Sequence, residues 1–209
     1  MSQITKIEVQ TKDKTRANLY VDEEFFCGIS VELVVKLGLK KGMEIEMSYL
    51  EEIVLEDEKS KAMNKAVKYI SSSLKTTKQI ADYLKKKEYG ESTISYVVEK
   101  LIEYKYVDDE AYVKAYVSTF SNKYGKNKLK VSLKGKGINE EIIDKVIDGG
   151  EELKDSLRDV GDKYMRNKQP TREVLAKLGR FLFSRGYSWD DIKVYIDDLK
   201  NQEDIFEDD

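Results

Sequence analysis

The feature that most constrains this chain is an internal repeat. Leu84, Leu133 and Leu182 lie 49 residues apart, and so do Ile80, Leu129 and Leu178. Ile94, Ile143 and Ile192 keep the same spacing, as do Val98, Ile147 and Ile196. A sequence periodic at this length specifies stacked copies of one supersecondary unit. Within each copy the apolar residues fall at helical spacing. One proline and 12 glycines in 209 residues leave long stretches free of helix breakers.

The polar positions repeat as well. Lys87, Lys136 and Arg185 form a fifth column, and Gly137 and Gly186 follow as residues suited to the left-handed end of a helix. Asn139 and Ser188 come next as N-caps, with Glu140-Glu141 and Asp190-Asp191 in the following first turns. Glu88 and Gly90 interrupt this pattern in the first copy, so its turn is expected to differ in shape. Each copy is read as three helices: 62–73, 77–87 and 91–104; 109–123, 126–136 and 139–148; 151–166, 171–185 and 188–200. The third copy carries extra residues in the turn containing Pro170. The expected fold is mainly α: three tandem, helix-turn-helix-like units spanning 59–107, 108–150 and 151–200. Each buries little alone, so stacking into an elongated, curved body is expected.

Residues 1–58 read differently. Ile4, Ile7 and Val9, then Leu19-Tyr20-Val21, then Phe25–Cys27 are short β-prone runs broken by polar turns. They predict a small antiparallel meander. Ser30 is placed to cap a short helix carrying Leu33, Val34 and Leu37, ended by Gly38. Residues 201–209 form an acidic tail, expected to fray or to compete with nucleic acid for basic surfaces.

Chemistry is sparse. The chain has no histidine and one cysteine, Cys27, so general-base catalysis by imidazole, a disulfide within the chain and a cysteine–histidine zinc cluster are all excluded. Gly125-Lys126 and Gly135-Lys136 lack the rest of a phosphate-binding loop. Asp108-Asp109 and Asp190-Asp191 read as helix starts. No enzyme and no cofactor are expected. No apolar run is long enough to cross a membrane, and no signal peptide is evident. A cytoplasmic monomer is the natural expectation.

The net charge of −3 conceals an asymmetry. Residues 1–58 carry 7 basic and 13 acidic residues, and residues 197–209 carry one and seven. Residues 59–196 carry 29 basic against 20 acidic, so the repeats can meet a polyanion that the two ends repel. The clearest cluster runs from Phe120 to Gly137: Lys123, Lys126, Lys128, Lys130, Lys134 and Lys136, with Tyr124 among them and no acid. Lys87, Arg180 and Arg185 extend the candidate face into the other repeats. Such clusters bind phosphate backbones through charge and counterion release. A solvated helix face is the competing reading. Some of the 14 tyrosines are candidates to stack on bases.

Three segments resemble a known family, the RecX regulatory proteins. Leu101-Ile102-Glu103-Tyr104-Lys105-Tyr106-Val107-Asp108-Asp109 is similar to the family's signature, with Lys105 where glycine is usual. Leu133-Lys134-Gly135-Lys136-Gly137-Ile138 and Leu182-Phe183-Ser184-Arg185-Gly186-Tyr187 are similar to its second- and third-repeat turns. The resemblance covers roughly residues 60–200. It implies tandem three-helix repeats, no catalytic residues, and a partner: the RecA recombinase filament on single-stranded DNA. Residues 1–58 look like the extension of longer members. Two other readings stay open. One is a stand-alone helix-turn-helix-like DNA-binding protein, against which the acidic third helices argue. The other is a helical scaffold for an unrelated protein.

Overall fold

The computed structural model describes residues 1–149 and 156–204. The expected start of the third repeat and the end of the acidic tail lie outside the described residues. The chain forms two compact units, residues 1–73 with 80–104, and residues 74–79 with 105–209.

In the first unit a four-stranded antiparallel sheet has the order β3-β2-β1-β4, with β1 Ser2–Val9, β2 Arg16–Val21, β3 Glu24–Ser30 and β4 Glu44–Ile45. The period-two pattern of β2 puts Ala17, Leu19 and Val21 on the buried face, with Ile4 and Ile29 from the flanking strands. Asp22 and Glu23 form the tight β2–β3 turn with φ of 49° and 71°, the left-handed pair that matches strand twist. Asp22 also accepts a hydrogen bond from the Gln3 amide at 2.8 Å, which holds its carboxyl below the usual range. Ser30 caps α1 (Val31–Lys36) by accepting from the Leu33 amide, and Gly38 follows at φ 62°, as the sequence predicts.

One element differs from the sequence reading. Helix α2 runs without a break from Met47 to Ile70, through position 58. Residues 47–58 contain no glycine or proline to stop it. Leu50 on its first turns belongs to the sheet's core, whereas Ala62 and Ala66 further along are buried with the first repeat. A single helix thus serves both cores.

The repeats follow as α3 (Thr77–Lys85) and α4 (Glu91–Glu103), then α5 (Asp109–Phe120), α6 (Lys126–Gly135) and α7 (Glu140–Gly149), then α8 (Ser156–Met165), α9 (Arg172–Ser184) and α10 (Trp189–Asp204). The first two apolar columns are fully buried in every copy. The fourth is not: Ile147 is buried, but Val98 and Ile196 are half-exposed. Asn139 and Ser188 cap α7 and α10 by accepting from the amides of Glu141 and Asp191. Gly161 stands where the second repeat has Val117, and the space a side chain would take is filled by the ring of Tyr195.

All three second helices end in the same left-handed turn. Glu88, Gly137 and Gly186 have φ of 65°, 78° and 88°. In each, the next amide reaches back five residues: Tyr89 to Leu84, Ile138 to Leu133 and Tyr187 to Leu182. The expectation that the first turn differs in shape is therefore corrected; its surroundings differ instead. Glu88 is exposed. A side chain at Gly137 or Gly186 would overlap Lys78 or Lys128.

These two turns are the joints of the second unit. The Gly125 amide donates to the Arg185 carbonyl (2.9 Å) and the Asn127 amide to the Gly186 carbonyl (3.1 Å). The terminal carbonyls of α9 thereby satisfy the unpaired amides at the start of α6, negative dipole end on positive. The Thr76 hydroxyl, fully buried at the start of α3, likewise donates to the Lys136 carbonyl at 2.9 Å.

Candidate partner-binding surface

The signature carboxylates divide their work. Asp108 caps its own helix by accepting from the Ala111 amide. Asp109 reaches the start of α3 and accepts from both the amide and the hydroxyl of Thr77, at 2.9 and 2.8 Å. Lys105, where the resemblance puts glycine, has φ 59° and so occupies a left-handed position.

The lysines of the second repeat fall on two sides of α6. Lys126, Lys130 and Lys134 lie one turn apart and meet the acidic face of α7. Lys130 bridges Asp144 (2.7 Å) and Asp148 (2.9 Å), Lys126 lies 3.6 Å from Asp148, and Lys134 pairs with Glu140 at 2.5 Å. These pairs raise the Lys130 ammonium above its ordinary value and hold Asp148 below its own. The stripe is largely neutralised by its neighbour. The acidic third helix, read from sequence as a poor recognition helix, is the reason.

Lys123, Lys128 and Lys136 sit apart from that seam. Helix α5 and the turn after it carry aromatic residues one turn apart, Tyr112, Tyr116, Phe120 and Tyr124. Their ring centroids are separated by 6.3, 4.6 and 6.2 Å in succession. All four are half-buried, packed on the repeat core from one side. Lys136 lies over Tyr112 and Tyr116 at 5.9 and 5.6 Å, and Lys128 over Tyr124 at 6.0 Å. Arg185 stands over both Tyr124 and Phe181, at 5.6 and 5.0 Å, and so joins the third repeat to the row. Phe181 stacks on Tyr164 at 4.8 Å, and Lys168 lies 3.4 Å above that ring. The second unit thus carries a row of six rings topped by four cations. Lys123 and Arg180 are exposed.

The first unit repeats the motif on a smaller scale. Tyr69 and Tyr83 stack at 4.2 Å and 5°, and Lys87 lies 5.8 Å from the Tyr83 ring. The fifth sequence column, Lys87, Lys136 and Arg185, is therefore a column of cations over aromatic rings. Sequence reading found the cations and placed Tyr124 among them, but not the other rings. Tyr164 and Lys168 escaped because the third repeat's first helix is offset in spacing, and Phe181 because the second repeat has Ser132 at that position. Among the described residues no group of three or more Cys, Asp or Glu is arranged to hold a metal ion. None of their helices is long and apolar enough to cross a membrane.

A small N-terminal sheet followed by three-helix repeats, each with a cation over aromatic rings after its second helix, defines a class: tandem-repeat helical proteins without an evident catalytic cluster among the described residues. Comparison with known proteins gives the class its family. Residues 2–46 match the regulatory protein RecX N-terminal domain. Residues 62–101, 108–147 and 151–196 match the first, second and third RecX three-helix domains. The regulatory protein RecX of Clostridium tetani is 39% identical over 205 residues, 95% of each chain. That of Bacillus velezensis is 31% identical over 207 residues, covering 96% of this chain and 79% of its own. A crystal structure of regulatory protein RecX superposes with a TM-score of 0.66 at 27% identity, over 95% of this chain and all of the other. RecX from Lactobacillus salivarius gives 0.62 at 28% identity, over 69% of this chain and 97% of its own. The chain belongs to the RecX family of regulatory proteins.

Proposed function

We propose that this protein binds the RecA recombinase filament assembled on single-stranded DNA and restrains it. Binding limits filament extension, strand exchange and ATP hydrolysis in recombination and DNA repair. It acts in the cytoplasm as a monomer, without a cofactor and without chemistry of its own. Family membership supports the choice of partner. The observation that supports the contact surface is the cation–aromatic row of the second unit, Lys136 and Arg185 over Tyr112, Tyr116, Tyr124 and Phe181. Cations ranked over half-exposed rings suit a strand whose phosphates and bases are both accessible. They equally suit acidic and aromatic groups of a protein filament.

The test is fluorescence anisotropy on a labelled single strand, with and without the cognate RecA and a non-hydrolysable nucleotide. Tight binding that requires RecA is the expected result. Tight, salt-sensitive binding to a defined duplex without RecA would replace this reading with the stand-alone DNA-binding one. The acidic partners of Lys126, Lys130 and Lys134 speak against that alternative, since they occupy the helix that would enter a groove.

A further inference from the structure

The three repeats place a pair of residues at the same two positions of the seam between second and third helices. In the first it is Lys85 and Glu91, 3.9 Å apart, and in the second Lys134 and Glu140 at 2.5 Å. In the third, 49 residues further on, it is Phe183 and Trp189. Their rings meet edge to face, with centroids 6.4 Å apart. Both are mostly in solvent, at 62% and 59% exposure, so the exchange adds little to the core. It extends along the seam. Lys126 and Lys130 give way to Leu175 and Gly179, and Asp144, a carboxylate that holds Lys130, gives way to Lys193. An ionic seam has become an apolar one with exposed rings, which is the composition of a binding surface.

The seam opens into a groove of about 400 Å³ between α9 and α10. Leu175, Ala176, Gly179 and Ile196 line it, and Trp189 forms one wall. Cations surround it. Arg172 and Lys200 stand at the rim. Arg180 lies one turn beyond Ala176 on α9, and Lys193 one turn beyond Trp189 on α10, both exposed. Among the described residues Arg172, Arg180 and Lys193 have no carboxylate partner, whereas Lys200 pairs with Asp197 at 2.9 Å. Other acids of the two helices are engaged: Glu173 by Lys177, Asp191 by Ser188 and Asp198 by Arg158.

We infer that this groove docks a partner protein through an acidic segment that carries an apolar side chain. The side chain enters between Leu175 and Ile196 and packs on Trp189. Its flanking carboxylates meet Arg172 and Arg180 on one side and Lys193 on the other. Charge complementarity selects the acids. The lining selects a protein over a nucleic-acid strand, because the floor of the groove is aliphatic and offers no polar side chain to a base edge. Apolar anchors seated in such pockets carry most of the affinity at protein interfaces. This surface is separate from the proposed filament contact, which uses the other rings of the unit.

Trp189 is the only tryptophan and forms a wall of the groove, so its emission reports occupancy. The full chain is titrated with a short synthetic peptide of alternating leucine and aspartate. Docking predicts a saturable blue shift and weaker acrylamide quenching. Arg172→Glu with Arg180→Glu, both exposed, should weaken the peptide by roughly tenfold or more at unchanged far-ultraviolet circular dichroism. Peptides with lysine for aspartate, or with alanine for leucine, should give no response. Lys136→Ala with Arg185→Ala should leave the peptide's affinity unchanged, which keeps a failure here distinct from a failure of the filament contact. No response to the peptide overturns the proposal, and so does equal affinity for the charge-reversed variant. A Trp189 response to oligothymidylate in place of the peptide overturns it in favour of a nucleic-acid site. Shielding that grows with protein concentration alone overturns it in favour of a second copy in the groove.

Discussion

Replacing Gly186 with alanine attacks the joint between the second and third repeats. The residue has φ 88°, where an L side chain costs about 1–2 kcal/mol. An added Cβ would lie 2.3 Å from the Lys128 nitrogen, 2.4 Å from its Cβ and 2.8 Å from its Cα. Two of these are backbone atoms at the start of a helix and cannot swing aside. Overpacking of this kind costs about 1–3 kcal/mol. Relief requires the turn to withdraw, which breaks the Gly125–Arg185 and Asn127–Gly186 hydrogen bonds, each worth about 1 kcal/mol. The loss should be about 3 kcal/mol or more. For a chain of this length that lowers the melting temperature by about 6–12 °C. Urea unfolding followed by circular dichroism measures it. Glu88→Gly is the matched control: the turn is the same, but the position is exposed. Relief of left-handed strain should make that variant more stable by about 0.5–1 kcal/mol. A Gly186→Ala protein as stable as the parent would refute the joint. Equal losses at Gly186→Ala and at an ordinary exposed glycine would do the same.

Other consequences are open to measurement. Lys105→Gly should stabilise the chain by about 0.5–1 kcal/mol, since Lys105 holds φ 59°; a drop in melting temperature would contradict this. Lys136→Ala with Arg185→Ala should weaken filament binding and lower its salt slope by about 0.7 per lost phosphate contact; Lys126→Ala with Lys130→Ala should change both far less, because those lysines already serve Asp144 and Asp148. Glu110 is held down at about 2 by hydrogen bonds from Lys114 and Lys145. Its folded value is below its unfolded one, so its contribution is complete above the ordinary 4.5 and is lost as pH falls from there toward 2. The stability difference between the parent and Glu110→Gln should shrink across that window, and a constant difference would exclude the linkage. Burial pushes the Cys27 thiol up to about 11, so alkylation at neutral pH should be slow in the folded protein and fast in urea.

Much of the fold was legible because it rests on periodicity. Three of the four columns at one spacing located the buried faces, and Ser30, Asn139 and Ser188 announced helix starts that their hydrogen bonds fulfil. What escaped depends on neighbours distant in sequence. The glycines of Gly137 and Gly186 read as helix ends, but their need for glycine comes from Lys78 and Lys128. Helix α2 crosses from sheet to repeat because nothing breaks it, and its apolar residues serve two cores. The basic cluster was visible as composition only. Its division into a neutralised stripe and a cation–aromatic row depends on what α7 and α5 bring to each side of α6. Carboxylates that quench Lys130 lie more than ten residues away, beyond the window in which the run looked free of acid.

DNA-dependent ATP hydrolysis by the cognate RecA tests the proposed regulation of a recombinase filament most directly. The protein is titrated into preformed filaments on single-stranded DNA at two salt concentrations. Inhibition is expected at amounts well below one per recombinase, weaker at high salt and weaker still for Lys136→Ala with Arg185→Ala. Undiminished hydrolysis and unchanged filament lifetime at stoichiometric protein would contradict it.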